Sequence, residues 1–189
     1  MTIANKKYKK RYVIPALIVI GVVALFVLPF SAWLVGDESF AATSDADFCV
    51  GCHTMEAMVD GHNVNIHGGN SSHGVRAACT DCHLPHDNSY NYFVAKAQTG
   101  THDLWVETFS DTDSIDWQAK REHRERYVYD SGCLSCHDKL EEATAGKKMH
   151  DNYFAGNTDS KCVTCHAEVG HSDLNKYLLE SKYRNYVKK

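Results

Sequence analysis

Every one of the eight cysteines in this chain lies in a copy of the pattern C-x-x-C-H. The four copies are Cys49-Val-Gly-Cys52-His53, Cys79-Thr-Asp-Cys82-His83, Cys133-Leu-Ser-Cys136-His137 and Cys162-Val-Thr-Cys165-His166. No thiol is left over, so a disulfide scaffold is excluded as the simple reading. Attachment of a heme needs two thiols that reach the two vinyl groups on one porphyrin edge, with an imidazole beside them that reaches the iron. A two-residue gap on a helical turn, followed directly by His, supplies both. A single copy would serve equally as a zinc site or a redox dithiol. Four copies that use every cysteine, in a chain whose body lies outside the cytoplasm, point to four covalently attached heme c groups.

That location follows from the distribution of charge. Residues 13–35 contain no charged side chain, and Lys6, Lys7, Lys9, Lys10 and Arg11 precede them. The first 36 residues hold five of the 20 Lys+Arg and none of the 24 Asp+Glu, so the remainder is acidic. As a helix, 23 residues span about 34 Å, enough for a hydrocarbon core with some tilt. Pro15 falls in the first turn, where it is harmless; Pro29 is a candidate kink, and Trp33 a candidate interfacial anchor. A cleaved leader is the competing reading, and Ser39-Phe40-Ala41 would suit its cleavage site. Its apolar run, however, should be only about 7–15 residues long. The basic cluster places the N-terminus in the cytoplasm by the positive-inside rule. The expected organisation is a cytoplasmic basic stub (1–12), a single-pass anchor in the inner membrane (13–35) and a periplasmic tetraheme domain (36–189). An acidic body is not a nucleic-acid binder.

Within the body the motifs start 30, 54 and 29 residues apart. Two close pairs suggest two two-heme units, at about 45–87 and 131–172, joined by a helical segment. Tyr90–Thr108 and the charged stretch 114–129 read as helices, the second as a solvated one, and 174–186 as a short amphipathic tail. Gly68-Gly69-Asn70-Ser71-Ser72 reads as a loop. No stretch alternates as a strand does. The fold class is therefore mainly α: one transmembrane helix plus a small heme-packed domain with little or no sheet. Large aliphatic residues are scarce beyond the anchor, so the porphyrins themselves are expected to be the core.

Each iron also wants a second axial ligand, whose identity tunes its potential. Eight histidines lie outside the motifs: His62, His67, His73, His86, His102, His123, His150 and His171. Three hemes with two imidazoles each, built on His83, His137 and His166, would use three of them. The first motif differs, because it continues Thr54-Met55. Met55 competes with His53 for the first iron, and the sequence leaves that choice open. It also leaves open whether the third heme takes His86, His123 or a ligand from another chain.

These residues together resemble the NapC/NirT/NrfH family of membrane-anchored multiheme quinol dehydrogenases. The likeness runs over almost the whole chain: the single N-terminal anchor, the four motifs in order, and the first one extended to Met55. It continues through Gly74-Val75-Arg76-Ala77-Ala78-Cys79-Thr80-Asp81-Cys82-His83-Leu84-Pro85-His86, then Lys96, Gly100, His102-Asp103, Met149-His150, and His171 five residues beyond His166. The resemblance implies oxidation of membrane menaquinol or ubiquinol and delivery of electrons to a periplasmic terminal reductase of the nitrite or nitrate type in anaerobic respiration. It implies Met55 as ligand of the first heme, Asp103 beside its other face, Lys96 at the quinol oxygen, and His150 and His171 as distal ligands. His67 and His86 match histidines proposed as ligands in parts of the family. The Lys96-to-Asp103 spacing and the short chain incline it towards the nitrite-reductase partner branch. The expected surroundings are membrane lipid, the quinol pool and a reductase, with room for an oligomer inside a larger complex. The alternatives are a multiheme wire, or a terminal reductase without its own quinol site; the latter would need a five-coordinate heme in a cationic pocket.

Overall fold

The computed structural model describes residues 3–187, with side chains from Tyr12 to Arg184. The side chains of the basic stub lie outside the described residues. The chain divides into two compact units, Met1–Thr43 and Ser44–Lys189.

The first unit is one helix, α1 (Ile3–Ala42), continuous through Pro15 and Pro29. Its stretch Tyr12–Ala42 has a mean hydropathy of 2.9 and is long and apolar enough to cross a membrane. Apolar side chains such as Leu25, Phe26 and Leu28 are exposed all round it. A helix apolar on every side and exposed on every side has a partner other than water. The helix thus outruns the 13–35 apolar run at both ends, and Ser39-Phe40-Ala41 lies within its last turn.

The second unit is a set of short helices: α2 (Ala46–Cys49), α3 (Glu56–Asn63), α4 (Cys79–His83), α5 (Ser89–Phe109), α6 (Trp117–Glu122), α7 (Asp130–Cys136), α8 (Leu140–Thr144), α9 (Lys148–Phe154), α10 (Cys162–Cys165) and α11 (Leu174–Val187). Short 3₁₀ turns at His53–Met55, Thr112–Ser114 and Arg124–Arg126 link some of them. Among the described residues the sole β pairing is an isolated bridge between Gly68 and Arg76. Side-chain caps start several helices where their N–H groups would otherwise lack acceptors. Asp45 accepts from the Ala46 N–H at 2.6 Å, Asn88 from Asn91 at 2.8 Å and Asp116 from Ala119 at 3.0 Å.

α5 covers the expected 90–108 stretch, and α11 the amphipathic tail. The charged stretch 114–129 is different. It breaks after α6 at His123, and the following residues turn inward rather than forming one solvated helix. Arg124 donates to the Val163 and Thr164 carbonyls at 2.8 and 3.2 Å, and Glu125 accepts from the Thr164 hydroxyl at 2.7 Å. Anchoring to the fourth motif takes precedence there over helix continuation.

The two expected two-heme stretches interlock. α4 crosses α7 so closely that a Cβ on Gly132 would overlap the Asp81 carbonyl, and the Tyr129 N–H donates to the Cys82 carbonyl at 3.0 Å. α3 packs against α11, where Arg184 meets Glu56 at 3.0 Å. The polypeptide core of this unit is small. Among the described residues its buried apolar side chains are Ala46, Ala57, Val59, Leu84, Val163 and Leu174, and no large side chain is completely enclosed.

Candidate heme-binding and electron-transfer site

Three of the four motifs share one local form. Cys79–His83 is itself a helix, and Cys133–Cys136 and Cys162–Cys165 each close a helix whose C-cap is the motif His. In this form the two thiols sit one helical turn apart on the same side, and the imidazole follows directly.

The imidazoles of these three motifs each face a second imidazole from a distant part of the chain. The ring centres are 6.2 Å apart for His83 and His171, 6.3 Å for His137 and His67, and 6.3 Å for His166 and His150. Two imidazoles that bind one metal ion from opposite sides, with metal–nitrogen bonds of about 2 Å, place their ring centres about 6 Å apart. The outer nitrogens of three of the six rings are held as ligands require. His83 Nδ1 lies 2.8 Å from the Tyr127 carbonyl, His171 Nδ1 2.8 Å from the Met58 carbonyl, and His67 Nδ1 3.2 Å from Asn65 Oδ1. With Nδ1 as donor, Nε2 carries the lone pair. Burial, with His83 facing it, holds His171 down at about 4, so the neutral form is favoured. Together with the nearly absent apolar core, these pairs fit a heme at each of the three motifs.

The thiols meet in pairs as well. The Cys49 and Cys79 thiols lie against one another, as do those of Cys133 and Cys162. That contact lowers the pKa of Cys49 and raises that of Cys79 from the ordinary thiol value. Cys82 feels the charge of Cys136 across the α4–α7 crossing. Motif one therefore touches motif two, two touches three, and three touches four. Among the described residues no three His, Cys, Asp or Glu side chains converge as they would around a bare ion.

The first motif departs from the common form. α2 ends at Cys49, the chain is extended at Cys52, and a 3₁₀ turn begins at His53. Among the described residues His53 faces no imidazole. Its Nδ1 lies 2.7 Å from Glu107 Oε1 and its Nε2 3.3 Å from the Thr112 hydroxyl. Met55 is half-buried at the end of that turn. α5 lies alongside. Lys96, Asp103 and Glu107 share one helical face, and all three act electrostatically on the thiols of Cys49 or Cys52. Lys96 Nζ donates to Ser44 Oγ at 2.5 Å, and burial lowers its pKa from the ordinary lysine value. Asp103 is exposed and sits 3.2 Å from its neighbour His102.

Two of the candidate ligands stand apart from any motif imidazole. His86 Nε2 lies 3.2 Å from the Thr80 carbonyl, its ring edge on Tyr92, while His123 is exposed at the break after α6. Three residues were not singled out as ligands or supports from the sequence. Glu107 holds His53, Asn65 holds His67, and buried His62 spans the Gly170 and Ala77 carbonyls at 3.0 and 3.1 Å. Asn65 lies two residues before His67, so a local side-chain contact was legible there; nothing in the spacing ties Glu107 to His53.

Opposed imidazoles beside four pairs of cysteines, none of them in a disulfide, define a multiheme c-type cytochrome, an electron-transport protein, and α1 makes it a membrane-anchored one. The chain belongs to the NapC/NirT cytochrome c family, whose N-terminal region is matched over residues 7–176. It is 29% identical to the tetraheme c-type cytochrome CymA of Shewanella oneidensis, over 87% of this chain and 94% of that one. It is 28% identical to the cytochrome c-type protein TorC of Escherichia coli over 89% of this chain, but spans only 44% of TorC's length. Among solved structures it is similar to a chain of the cytochrome c nitrite reductase NrfHA complex bound to the HQNO inhibitor. That likeness has a TM-score of 0.49 and 24% identity, covering 82% of this chain and 90% of the other. The matches spread across the family rather than singling out its nitrite-reductase branch.

Proposed function

We propose that the protein oxidises membrane quinol, menaquinol or ubiquinol, and passes the electrons through four hemes to a periplasmic terminal reductase of the nitrite or nitrate type. The observation that carries the quinol step is the face of α5, which sets Lys96 and Asp103 beside the first motif. Oxidation of one quinol releases two electrons and two protons. Lys96, with its ammonium partly desolvated, donates a hydrogen bond to the quinol oxygen, and Asp103, open to water, takes the two protons one after the other and passes each to solvent. When bound, the hemes supply the one-electron chemistry. The chain's own part is to hold them in order. Met55 would hold the first iron, His83 with His171 the second, His137 with His67 the third, and His166 with His150 the fourth. The run of motif contacts from one to four gives electrons a short path, entering at the first motif and leaving from the fourth.

The reductase partner is supported by family membership, and an acidic body suits a basic docking face. The basic residues before the span support a cytoplasmic N-terminus and a periplasmic body. The test is Lys96→Gln in the membrane-bound protein with all four hemes attached. Quinol-driven heme reduction should fall at least tenfold while reduction by dithionite is unchanged. Undiminished quinol oxidation would remove Lys96 from the site.

A further inference from the structure

The first motif contains two groups able to take the same iron, His53 and Met55. A C-x-x-C-H sequence by default delivers its histidine, as the other three motifs do. Something must hold His53 back if Met55 is to serve. We propose that Glu107 does this: its carboxylate clamps the His53-Thr54 pair and thereby assigns the axial position of the first heme to Met55.

Three observations carry the proposal. The carboxylate is used at both oxygens, on consecutive residues. Oε1 accepts from His53 Nδ1 at 2.7 Å, and Oε2 accepts from the Thr54 hydroxyl at 2.9 Å. Such a two-point hold fixes the rotation of the whole turn, which one hydrogen bond would not do. Next, the other ring nitrogen of His53 is also engaged, with the Thr112 hydroxyl at 3.3 Å. With Nδ1–H donated, Nε2 is the lone-pair nitrogen that a metal would need, and it faces Thr112 on the segment just beyond α5. Finally, the backbone of this motif differs from the other three. The helix stops at Cys49, Cys52 is extended, and His53–Met55 is a 3₁₀ turn. Successive residues of such a turn point about 120° apart, so turning His53 towards Glu107 necessarily turns Met55 to another side. Glu107 is only 20% exposed, so its hold is less weakened by water than that of a surface pair.

Glu107 is thus a positioning residue. The proposal rests on the reading that Met55 binds the first iron, and the experiment separates the two. The readout is the axial-ligand signature of the first heme by near-infrared magnetic circular dichroism, together with its midpoint potential, in detergent-solubilised protein with four hemes confirmed by mass. The unmodified protein should show a thioether-type first heme. Glu107→Leu should convert it to an imidazole type and lower its potential, because a methionine ligand raises the potential relative to histidine. Glu107→Gln, which still accepts from His53 through its amide oxygen and can donate its amide N–H to the Thr54 hydroxyl oxygen, should retain the thioether signature. The double variant Glu107→Leu with His53→Ala should regain it, since no competing imidazole remains. Glu107→Ala replaces the leucine variant if that one fails to take up its hemes. An imidazole-type first heme in the unmodified protein would sink the Met55 reading itself. A thioether signature that persists in Glu107→Leu would overturn the Glu107 assignment alone. Failure of the double variant to regain the signature would do so too, since it would mark Glu107 as a general support of the fold.

Discussion

His171 shows how one side chain is prepared before any iron arrives. Its Nδ1 is tied to the Met58 carbonyl and its ring lies 6.2 Å from that of His83. Burial is the main reason its pKa falls from 6.5 to about 4. The folded value is depressed, so stability gained by keeping the ring neutral is present above 6.5 and declines as pH falls towards 4. Iron bound at Nε2 would compete with the proton for the same nitrogen and favour the neutral ring further, so the absorption spectrum of the heme-loaded protein should show no loss of the paired-imidazole form of the second heme near pH 6.5, and a transition there would contradict the pairing. His171→Ala should convert one heme in four to a form with a single imidazole, read as high-spin iron by electron paramagnetic resonance. At this scale the sequence was legible wherever the motif carries the residue. His83, His137 and His166 follow from their cysteines, and the arithmetic of three further histidines agrees with three opposed pairs. Which three they are depends on contacts across the fold, such as His67 with His137, that no local pattern records.

Helices in this protein are short enough that tertiary contact, more than propensity, decides where they sit. The crossing of α4 and α7 is the clearest case. The Asp81 carbonyl occupies the space that a side chain at position 132 would need. Gly132→Ala should therefore force the second and third motifs apart, at a cost of at least about 1–3 kcal/mol, and slow electron exchange between them. Arg184→Ala offers the contrast. Its ion pairs with Glu56 and Asp60 fasten α11 to α3, but both partners are substantially exposed. Such pairs contribute up to about 1 kcal/mol. Thermal unfolding of the two variants should separate them clearly, and equal shifts would refute this ranking. α5 and α11 were readable as elements because they are long runs with few breakers. The break after α6 was not, because Arg124 looks like any solvated helix residue until the carbonyls of Val163 and Thr164 are brought to it. Likewise the sequence marks α5 as a helix without saying that its Lys96–Asp103–Glu107 face meets the first motif.

At the scale of the whole molecule, the body from Ser44 onward asks what holds about 146 residues together. Ordering each residue costs about 1–2 kcal/mol of conformational entropy, and burial of the six mostly small apolar side chains found buried among the described residues does not offset that. Apart from α5 and α11, the body's helices are too short to persist alone. What remains is four large apolar rings, each fixed by two thiols and clasped between side chains from separate parts of the chain. Protein made in cells that cannot attach heme should consequently retain helix in α1, which needs only an apolar surrounding, while its body shows no cooperative thermal transition and is cut throughout by protease. The four sites should not weigh equally. The second joins the most: α4 crosses α7, His83 faces His171 near the start of α11, and Cys79 touches Cys49. Removing it with Cys79→Ala and Cys82→Ala should loosen both ends of the body. Removing the first with Cys49→Ala and Cys52→Ala should leave the three imidazole pairs in place. Limited proteolysis of the two variants tests this, and a first-site variant cut as readily as the second-site one would show that the hemes support the body as interchangeable filling rather than as a linked frame.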